Sequence, residues 1–518
     1  DDSLPLTLES VADVNALRSA EEVVSTGIAD GRNVLVMDMD LCVRCGNCSL
    51  ACHKVHGQSR LLRRGIQIER PKTIGRKRLQ HALVPQVCMH CADPECLTGC
   101  PTGSISRDPL GHIDIDRVTC IGCFDCATQC PYDAITMVNR DAPVNNGGFM
   151  AKLARVFSFR IAEPTVPAAP DDVVAIKCNL CEDTSMNPPG ARRQAYSCEE
   201  NCPTGALVRV NPVEYFDEVK PTLGFVFRDQ THAVGRNIHK SDPLARAWHI
   251  AGLAVTLLAI AGFVWGLQKF GFDTVLAGTW LTMRWLTGLV GLAGVAIVMT
   301  YPFRKQVYRR RAGALRYWML VHVYAGVVAG VVLLLHSGSR TGGLLTTLLY
   351  VVFDLVIVSG VAGILAYIIA PRIMTRIEGE PLLVEDLEKR REELRQQATS
   401  ILEQSEGWLK DEIRDVVYPR FLSRGFLWRQ LSRREELKPL LAQAREEFKP
   451  RTTRLATPEE RELLLSAVET AVTLRRVDAL LLLHRALRSW IPIHVVSTAV
   501  MLVLLVVHIA QVIFFNAR

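Results

Sequence analysis

Residues 87–103 read VCMHCADPECLTGCPTG, a stretch that holds four cysteines and follows the last one with a proline. Its spacing is CxxCx4CxxxCP, so all four thiols lie within residues 88–100. Three such thiolates can wrap one corner of an iron-sulfur cubane while the fourth reaches a neighbouring cluster. The stretch therefore predicts [4Fe-4S] clusters whose ligands are exchanged between motifs.

Working outward from this stretch, all 16 cysteines fall into four complete quartets between Cys42 and Cys202. The quartets are Cys42, Cys45, Cys48, Cys52; Cys88, Cys91, Cys96, Cys100; Cys120, Cys123, Cys126, Cys130; and Cys178, Cys181, Cys198, Cys202. The first and third repeat the spacing CxxCxxCxxxC, and the fourth is interrupted by sixteen residues. The count predicts four [4Fe-4S] clusters.

Structural zinc sites and a disulfide framework are the alternatives to iron-sulfur clusters. Zinc ribbons use two CxxC pairs separated by a knuckle, whereas two of these quartets place three cysteines on consecutive three-residue steps. That spacing suits one cube better than one tetrahedral ion. Because no CxxCH occurs, the sequence does not predict c-type haem attachment.

Residues 35–212 resemble the four-cluster ferredoxin subunits of the dimethyl sulfoxide reductase superfamily. The resemblance is carried by residues 87–103 and by the endings CPYDAI and CPTGAL of the third and fourth quartets. It implies two nested ferredoxin folds, in which quartet one pairs with four and quartet two with three. The ligand sets it implies are Cys42, Cys45, Cys48 with Cys202; Cys178, Cys181, Cys198 with Cys52; Cys88, Cys91, Cys96 with Cys130; and Cys120, Cys123, Cys126 with Cys100.

The resemblance has two departures, and spacing alone would also allow quartet one to pair with quartet two. Cys52 is followed by His53 rather than by proline. Residues 139–172 form a long insertion that contains the run PTVPAAP. We expect this insertion to contact a partner or the membrane.

Five apolar segments follow residue 246, at residues 247–267, 285–303, 318–336, 344–370 and 490–515. Each can cross about 30 Å of hydrocarbon, and tryptophans lie at several segment ends, as in an interfacial belt. The expected fold class is an α+β soluble domain with tandem ferredoxin-like folds and four clusters, joined to an all-α membrane bundle of five helices that carries a helical soluble insert.

The net charge of +7 could indicate nucleic-acid binding, but the basic residues are concentrated beside apolar segments. The largest basic cluster lies between the second and third segments and comprises Arg304, Lys305, Arg309, Arg310, Arg311 and Arg316. Loops rich in Lys and Arg stay on the cytoplasmic side. The bias predicts a multi-pass protein of the inner (plasma) membrane, with the iron-sulfur domain and the insert cytoplasmic. The first residues show no basic apolar leader, although the chain lacks an initiating Met and a leader cleaved earlier stays open.

Four histidines occupy matched positions in the third and fifth apolar segments. His322 and His336 are fourteen residues apart, and so are His494 and His508. Fourteen residues rise about 21 Å and return to within roughly 40° of the same helix face. Because the two segments run parallel, His322 should share its depth with His494, and His336 with His508. The pattern predicts two b-type haems, with interhelical hydrogen bonding as the alternative for any one histidine.

This histidine pattern resembles di-haem membrane cytochromes b, such as the anchor subunits of formate dehydrogenases, hydrogenases and thiosulfate reductases, over residues 240–370 and 488–515. Gly326 and Gly330 lie between the ligands, where they leave room for a macrocycle or a close helix. His249 opens the first segment as a candidate quinone-site residue or a plain interfacial histidine. Asp354 lies inside the fourth segment as a candidate for proton relay, quinone contact or a structural hydrogen bond.

The sequence predicts four regions. They are residues 1–35, an N-terminal helical segment; residues 36–235, the four-cluster domain; residues 240–370 with 488–518, the cytochrome b bundle; and residues 371–487, the helical insert. Prolines at positions 419, 439, 450 and 458 of the insert predict a series of short helices. A solvated charged bundle without chemistry is the alternative to a surface that packs on a partner.

The sequence contains no phosphate-binding glycine loop, no GxSxG and no HExxH. Redox-centre motifs without a substrate motif predict an electron conduit whose substrate chemistry belongs to a separate subunit. We expect a membrane-bound subunit that passes electrons between a soluble cytoplasmic oxidoreductase and the quinone pool, with quinone as its substrate. The alternatives are a transmembrane conduit to a periplasmic cytochrome and a zinc-stabilised membrane scaffold.

Overall fold

The computed structural model describes residues 26–71, 79–140, 173–188, 194–212, 243–270, 282–337, 343–377, 384–433 and 437–516. The chain divides into two compact units. Unit 1 contains residues 1–38, 45–360 and 493–518, and unit 2 contains residues 39–44 and 361–492. Residues 1–25 of the expected N-terminal helical segment and most of the 139–172 insertion lie outside the described residues.

The cysteine region, residues 26–212, contains eight short strands. They are β1 Val34–Asp38, β2 Leu62–Pro71, β3 Leu79–Gln86, β4 Ile105–Arg107, β5 Ile113–Ile115, β6 Thr136–Asn139, β7 Val173–Ile176 and β8 Leu207–Val210. An antiparallel sheet has the order β2-β3-β1-β8, and β4–β5 and β6–β7 form separate antiparallel pairs. The α+β class expected for this region is therefore confirmed.

Four short helices connect these strands and carry or adjoin the cysteines. They are α1 Asn47–His56, α2 Glu95–Thr98, α3 Asp125–Gln129 and α4 Ser197–Glu200. One hydrophobic core joins Val34 and Val36 of β1 to Val208 and Val210 of β8. A second core joins β4, β5 and β7 to Cys120 and Cys126. The strands therefore fix the loops in which the cysteines lie.

Five helices of the described chain are long and apolar enough to cross a membrane. The helices that carry these spans are α5 Pro243–Phe270, α6 Met283–Lys305, α7 Leu315–Ser337, α8 Leu344–Ile377 and α14 Pro458–Asn516. Large apolar side chains such as Leu258, Val358 and Val506 are exposed on them. Such surface suits lipid, because a helix pairs its own backbone groups and needs no water. The five expected membrane helices are confirmed by length and composition.

Helices α5, α6 and α7 pack directly on one another in unit 1. A Cβ atom added to Gly294 of α6 would lie 2.7 Å from the Cβ of Ala329 on α7, and one added to Gly252 of α5 would collide with Tyr324. Small residues thus permit close helix contact at these points.

The insert forms helices between α8 and the membrane part of α14. They are α9 Val384–Gln404, α10 Gly407–Glu412, α11 Tyr418–Phe421, α12 Arg424–Arg433 and α13 Leu437–Phe448, with a π turn at Ile413–Val417 and a 3-10 helix at Lys449–Arg454. A buried core of Ile413, Val417, Phe421, Leu464 and Val468 holds them together. Short helices were expected, and Pro419, Pro450 and Pro458 each lie in the first turn of an element.

The last helix differs from the sequence-based expectation of two separate segments. The sequence separates the end of the insert from the apolar segment at residues 490–515. The structure joins them in one helix of 59 residues, α14. Pro492 lies inside it. No proline or glycine lies between residues 459 and 491, so nothing in that stretch ends the helix. The expected domain boundary at residue 488 is therefore not marked by a break in secondary structure.

Candidate functional site

The CxxC loops turn through residues in the left-handed backbone region. His90, Phe124 and Leu180 have φ values of 53°, 69° and 57°. Residues with side chains seldom adopt this conformation, so the surrounding structure must hold it. The tight turns bring cysteines that are three residues apart to one side of each loop.

One group combines three cysteines of the fourth quartet with the last cysteine of the first, and we call it the Cys178 group. It comprises Cys52, Cys178, Cys181 and Cys198, which together line one pocket of about 340 Å³. Backbone N–H groups of Arg60 and Ser197 donate to the sulfurs of Cys52 and Cys181 at 3.2 and 3.5 Å. The pocket thus brings together the four cysteines of one ligand set named in the sequence analysis, and their role as cluster ligands stays a prediction.

A second group, the Cys120 group, comprises Cys100, Cys120, Cys123 and Cys126 and lines a pocket of about 320 Å³. The N–H of Ala175 donates to the sulfur of Cys120 at 3.5 Å. The hydroxyl of Ser104 lies 3.2 Å from the sulfur of Cys100. This pocket too contains one cysteine from the adjoining quartet.

The third group, the Cys88 group, comprises Cys88, Cys91, Cys96 and Cys130, which are close enough to interact electrostatically. The N–H of Ala134 lies 3.5 Å from the sulfur of Cys130. Cys130 thus lies with the second quartet, and the ligand set to which it would belong stays a prediction.

The remaining cysteines of unit 1, the Cys45 group, are Cys45, Cys48 and Cys202. Cys45 and Cys202 interact electrostatically, and Cys48 follows Cys45 at the start of α1. Cys42 belongs to unit 2, so its place in this set stays a prediction.

The ionisation of the thiols depends on their burial. Burial raises the pKa of Cys52, Cys96 and Cys126 to about 11 and that of Cys91 and Cys181 to about 12. Burial acts in the same direction on Cys100, but hydrogen bonds with Ser104 and Thr102 outweigh it and lower its pKa to about 6. Most of these thiols are therefore protonated at neutral pH when no metal is bound, and binding of iron must release protons.

The geometry favours clusters over single zinc ions. Zinc holds its thiolates about 2.3 Å away, which places the four sulfurs about 3.8 Å from one another. All 16 cysteines are described. Among the described residues, however, only Asp108, His112 and Glu182 form a group of three His, Cys, Asp or Glu side chains whose ligand atoms lie within 4.8 Å of one another. A cubane attaches each thiolate to a different iron and so holds them farther apart. Among the described residues, no three cysteine sulfurs lie as close together as one zinc ion would hold them.

The four groups follow one another in a row. Cys126 of the Cys120 group interacts with Cys96 of the Cys88 group, and Cys88 interacts with Cys178. Helix α1 carries both Cys48 and Cys52 and packs against α4, so the Cys178 and Cys45 groups are neighbours. The order is the Cys120, Cys88, Cys178 and Cys45 groups.

The Cys45 end of this row lies against the basic loop between α6 and α7. Tyr308 donates to the side chain of Asn47 at 3.3 Å, and Arg304 donates to that of Asn201 at 3.1 Å. Arg309 donates to the carbonyl of Lys54 at 2.8 Å. The basic cluster, which the sequence marks as a topology signal, therefore also attaches the cysteine region to the helical bundle.

Helix α7 presents its two histidines to the carbonyl groups of α6. The Nδ1 of His322 lies 2.9 Å from the carbonyl of Val298, and that of His336 lies 2.9 Å from the carbonyl of Arg284. A carbonyl can only accept, so Nδ1 carries the proton in both rings and the lone pair is on Nε2. Among the described residues neither Nε2 has a hydrogen-bond partner. Histidine ligands of metals are oriented in this way.

Helix α14 supplies the other two histidines. The Nδ1 of His494 lies 3.0 Å from the hydroxyl of Ser359 on α8, whereas the Nδ1 of His508 is buried without a partner among the described residues. His494 interacts electrostatically with His322, and His508 with His336. These contacts bring together the residues of the two pairs named above, whose role as haem ligands stays a prediction.

Four glycines lie near these histidines. A Cβ added to Gly326 would meet only Val298 at 3.9 Å, and one added to Gly330 only Ile357 at 3.5 Å. Both are ordinary van der Waals distances, so a small side chain could be accommodated at either position of α7. Gly288 and Gly360 lie against the rings of His336 and His494, where a Cβ would come within 2.9 and 3.3 Å.

The two remaining candidate residues are placed but not joined to the histidine pairs. The Nδ1 of His249 lies 3.0 Å from the hydroxyl of Tyr324 on α7. Asp354 is half-buried on α8 and has no hydrogen bond or ion pair within the described part of the chain. Their roles stay predictions.

Several residues that contact the candidate ligands were not found by sequence reasoning. Ser359 and Thr287 touch His494 and His336, and Arg209 donates to the sulfur of Cys178. A hydroxyl within an apolar span was the available signal for the first two. For Arg209, on the strand that follows the fourth quartet, the sequence offered none.

Comparison with known proteins assigns a class to the cysteine region. Residues 79–150 match the family model described as a 4Fe-4S dicluster domain. This match covers the second and third quartets, and it confirms the expectation of [4Fe-4S] clusters in this region. The cysteine region is therefore an iron-sulfur domain, in a chain that also has five candidate membrane spans within its described part.

Three curated proteins are each similar to about a third of this chain. The thiosulfate reductase electron transfer subunit PhsB of Salmonella typhi is 29% identical over 178 residues, which are 34% of this chain and 73% of that protein. Formate hydrogenlyase subunit 2 of Escherichia coli is 27% identical over 179 residues, 33% of this chain and 79% of the relative. The electron transport protein HydN of Escherichia coli is 29% identical over 180 residues, 34% of this chain and 87% of the relative. About two thirds of this chain lies beyond each match.

Proposed function

We propose that this protein is a membrane-bound electron-transfer subunit that passes electrons between a soluble cytoplasmic oxidoreductase and the quinone pool through four [4Fe-4S] clusters and two b haems. One observation carries the proposal. A row of four cysteine groups ends at the basic loop between α6 and α7, and α7 bears two of the four histidines. One chain thus holds candidate redox ligands from a soluble surface into the apolar helices.

Each cysteine group has its own role in this proposal. The Cys88, Cys120 and Cys178 groups would each ligate one cluster, and the Cys45 group would ligate the fourth together with Cys42. Backbone N–H groups that point at the sulfurs support this assignment, because they stabilise thiolate and restrict its position. His322 with His494 and His336 with His508 would hold the haems. When bound, these groups supply one-electron redox centres.

The exposed end of the row is the proposed docking site for the catalytic partner. Around Cys123, which is itself exposed, the loop before α3 displays Val118, Ile121 and Phe124 with 86%, 65% and 51% of their surfaces accessible. Clustered apolar side chains of this kind mark interaction sites. The names of the relatives, which include subunits of a thiosulfate reductase and a formate hydrogenlyase, support a partner that carries the substrate chemistry.

The membrane orientation in this proposal follows from the basic loop. Its arginines contact the cysteine region, so both lie on one side of the bundle. Loops rich in Lys and Arg favour the cytoplasm, which gives the cysteine region and the insert a cytoplasmic location. A reporter active only in the periplasm should be active when fused at residue 518, and activity only at the amino terminus would reverse the orientation.

The quinone site is proposed near His336 and His508, the pair remote from the basic loop. Two haem layers would be needed only if electrons travel away from the cysteine region. Asp354 on α8 is the proposed proton donor or acceptor for quinone. The competing proposal places quinone beside His249 and leaves the far layer to a periplasmic cytochrome.

Quinone reduction in sealed vesicles tests these proposals. Full-length protein is reduced chemically at the cysteine side, and quinone reduction is followed while a potential of either sign is imposed. We expect the rate to depend on the potential, because moving one charge through 100 mV involves about 2.3 kcal/mol. We also expect His508→Ala to abolish it and Asp354→Asn to slow it. Loss of activity in His249→Ala, with a rate indifferent to the potential, would instead support the His249 site.

Docking is tested separately from quinone chemistry. We expect Ile121→Asp to weaken co-purification of a soluble redox partner in mild detergent, because a charge would be buried at the contact. Leu50→Asp is the matched control, since Leu50 is exposed on α1 near the opposite end of the row. Equal recovery of partner with both variants would exclude this surface.

A further inference from the structure

Two cations are buried between the middle cysteine groups. Lys177 and Arg209 each expose only 3% of their surface. Lys177 immediately precedes Cys178, and Arg209 lies on β8. Neither belongs to any cysteine motif, and the proposed function assigns neither a role.

Lys177 donates only to backbone carbonyls. Its Nζ donates to the carbonyl of Cys178 at 3.1 Å and to that of Ile113. It interacts electrostatically with Cys88 and Cys96. The ammonium group therefore lies between the Cys88 group and the Cys178 group.

Arg209 contacts the sulfur of a candidate ligand directly. Its Nη2 donates to the sulfur of Cys178 at 3.0 Å, and its Nη1 donates to the carbonyl of Asn33 at 2.8 Å. The guanidinium lies 5.4 Å from the centre of the Tyr196 ring. Its electrostatic neighbours are Cys178, Cys181 and Cys198.

Neither cation has a carboxylate partner among the described residues. Removing an ion from water costs several kcal/mol unless an opposite charge compensates it. The negative groups within reach are the cysteine thiolates and, in the proposed function, the anionic clusters they ligate. A bound cluster would therefore be the counter-ion of both cations.

We propose that Lys177 and Arg209 raise the reduction potentials of the two middle clusters, those of the Cys88 and Cys178 groups. This inference rests on the proposed function, because it requires clusters in these groups. Reduction adds one electron to a cluster while no bond forms or breaks. A fixed positive charge in a water-poor interior stabilises the more negative reduced form, so the potential rises.

The two cations should differ in reach. Arg209 touches the Cys178 group alone, so its charge acts mainly on that cluster. Lys177 interacts with both groups, so it acts on two clusters.

Potentiometric titration of the full-length protein, followed by electron paramagnetic resonance, tests the inference. Arg209→Met should lower the equilibrium constant for reduction of one cluster by about tenfold or more. For one electron, that change lowers the reduction potential by about 59 mV. Arg209→Lys, which keeps the charge, should restore most of the shift. Lys177→Met should lower two potentials, and Lys177→Arg should lower neither. Arg117→Met is the control, because Arg117 is an exposed cation near the Cys120 group and water screens it.

Cluster-free protein gives a second and independent measurement. Without clusters the two cations lack counter-ions, so Arg209→Met and Lys177→Met should unfold at a temperature no lower than the unsubstituted apoprotein. A merely structural arginine would lower the unfolding temperature in both forms. Unchanged potentials in Arg209→Met and Lys177→Met with intact clusters would overturn the inference. Absence of iron and sulfide from the unsubstituted protein would instead overturn the proposed function.

Discussion

The cysteine region holds its candidate ligands on loops between short strands and helices, whereas α7 and α14 hold theirs fourteen residues apart on continuous helices. In the cysteine region, sulfur meets backbone N–H groups and the buried guanidinium of Arg209. In the helices, imidazole meets carbonyl and hydroxyl groups of neighbouring helices.

This difference reflects the charge of the candidate ligand side chains in each region. Thiolates are anions, so donors and cations stabilise them. Neutral imidazole needs one acceptor that fixes its tautomer and orientation. The two regions should therefore respond differently to the same kind of substitution. Single substitutions in each region, and in the insert for comparison, test whether they do.

The largest effect is expected from removing a buried cysteine. Cys198→Ala should lose one cluster, which is about four iron and four sulfide per chain, while haem content stays unchanged. Iron, acid-labile sulfide and pyridine haemochrome assays measure the two cofactors separately. Ser197→Ala, one residue away, should retain all clusters. Loss of haem in Cys198→Ala would show that the two regions do not load independently.

Removing one histidine is expected to halve the haem content and spare the clusters. His322→Ala and His494→Ala should lose the same haem, so the double variant should retain as much haem as either single variant. Haemochrome absorbance per chain measures this, and His249→Ala should keep both haems. A double variant that loses both haems would break the proposed pairing.

The insert offers a third region, to which no cofactor is assigned. Leu464 is fully buried in its core, and Leu464→Ala should cost roughly 2–5 kcal/mol of local stability. Hydrogen exchange of the insert helices measures this loss, while cluster and haem contents should not change. Leu482→Ala is the control, since Leu482 is exposed. A change in cofactor content would show that the insert supports loading.

The smallest effect is expected at the partners of the imidazoles. Ser359→Ala removes the hydroxyl beside His494 and should weaken retention of that haem by about 10-fold. Ser497→Ala is the matched control, because that buried hydroxyl bonds only carbonyls of its own helix. Haem transfer to an acceptor protein measures retention. Equal rates for both variants would remove Ser359 from the site.

Much of the chemistry could be predicted from local sequence. A CxxC loop sets its own geometry within a few residues, so the quartets indicate [4Fe-4S] clusters before any fold is known. Helical periodicity likewise places His322 and His336 on one face, and hydropathy identifies the membrane spans.

Which groups meet was decided by tertiary structure. Spacing left the exchange of Cys52 and Cys130 between quartets open, because the pairing depends on how the strands bring distant loops together. The first half of α14 also packs in the core of the insert, and hydropathy does not reveal that contact.

The sequence by itself determined the kinds of ligand, their number and the apolar spans, since each depends on residues within one or two turns of chain. Only the tertiary structure decided that Arg209 on β8 reaches the sulfur of Cys178 and that Ser359 on α8 reaches His494. Those contacts join residues 31 and 135 positions apart. Their energy is electrostatic and depends on distance and burial, and neither quantity exists until the chain has folded.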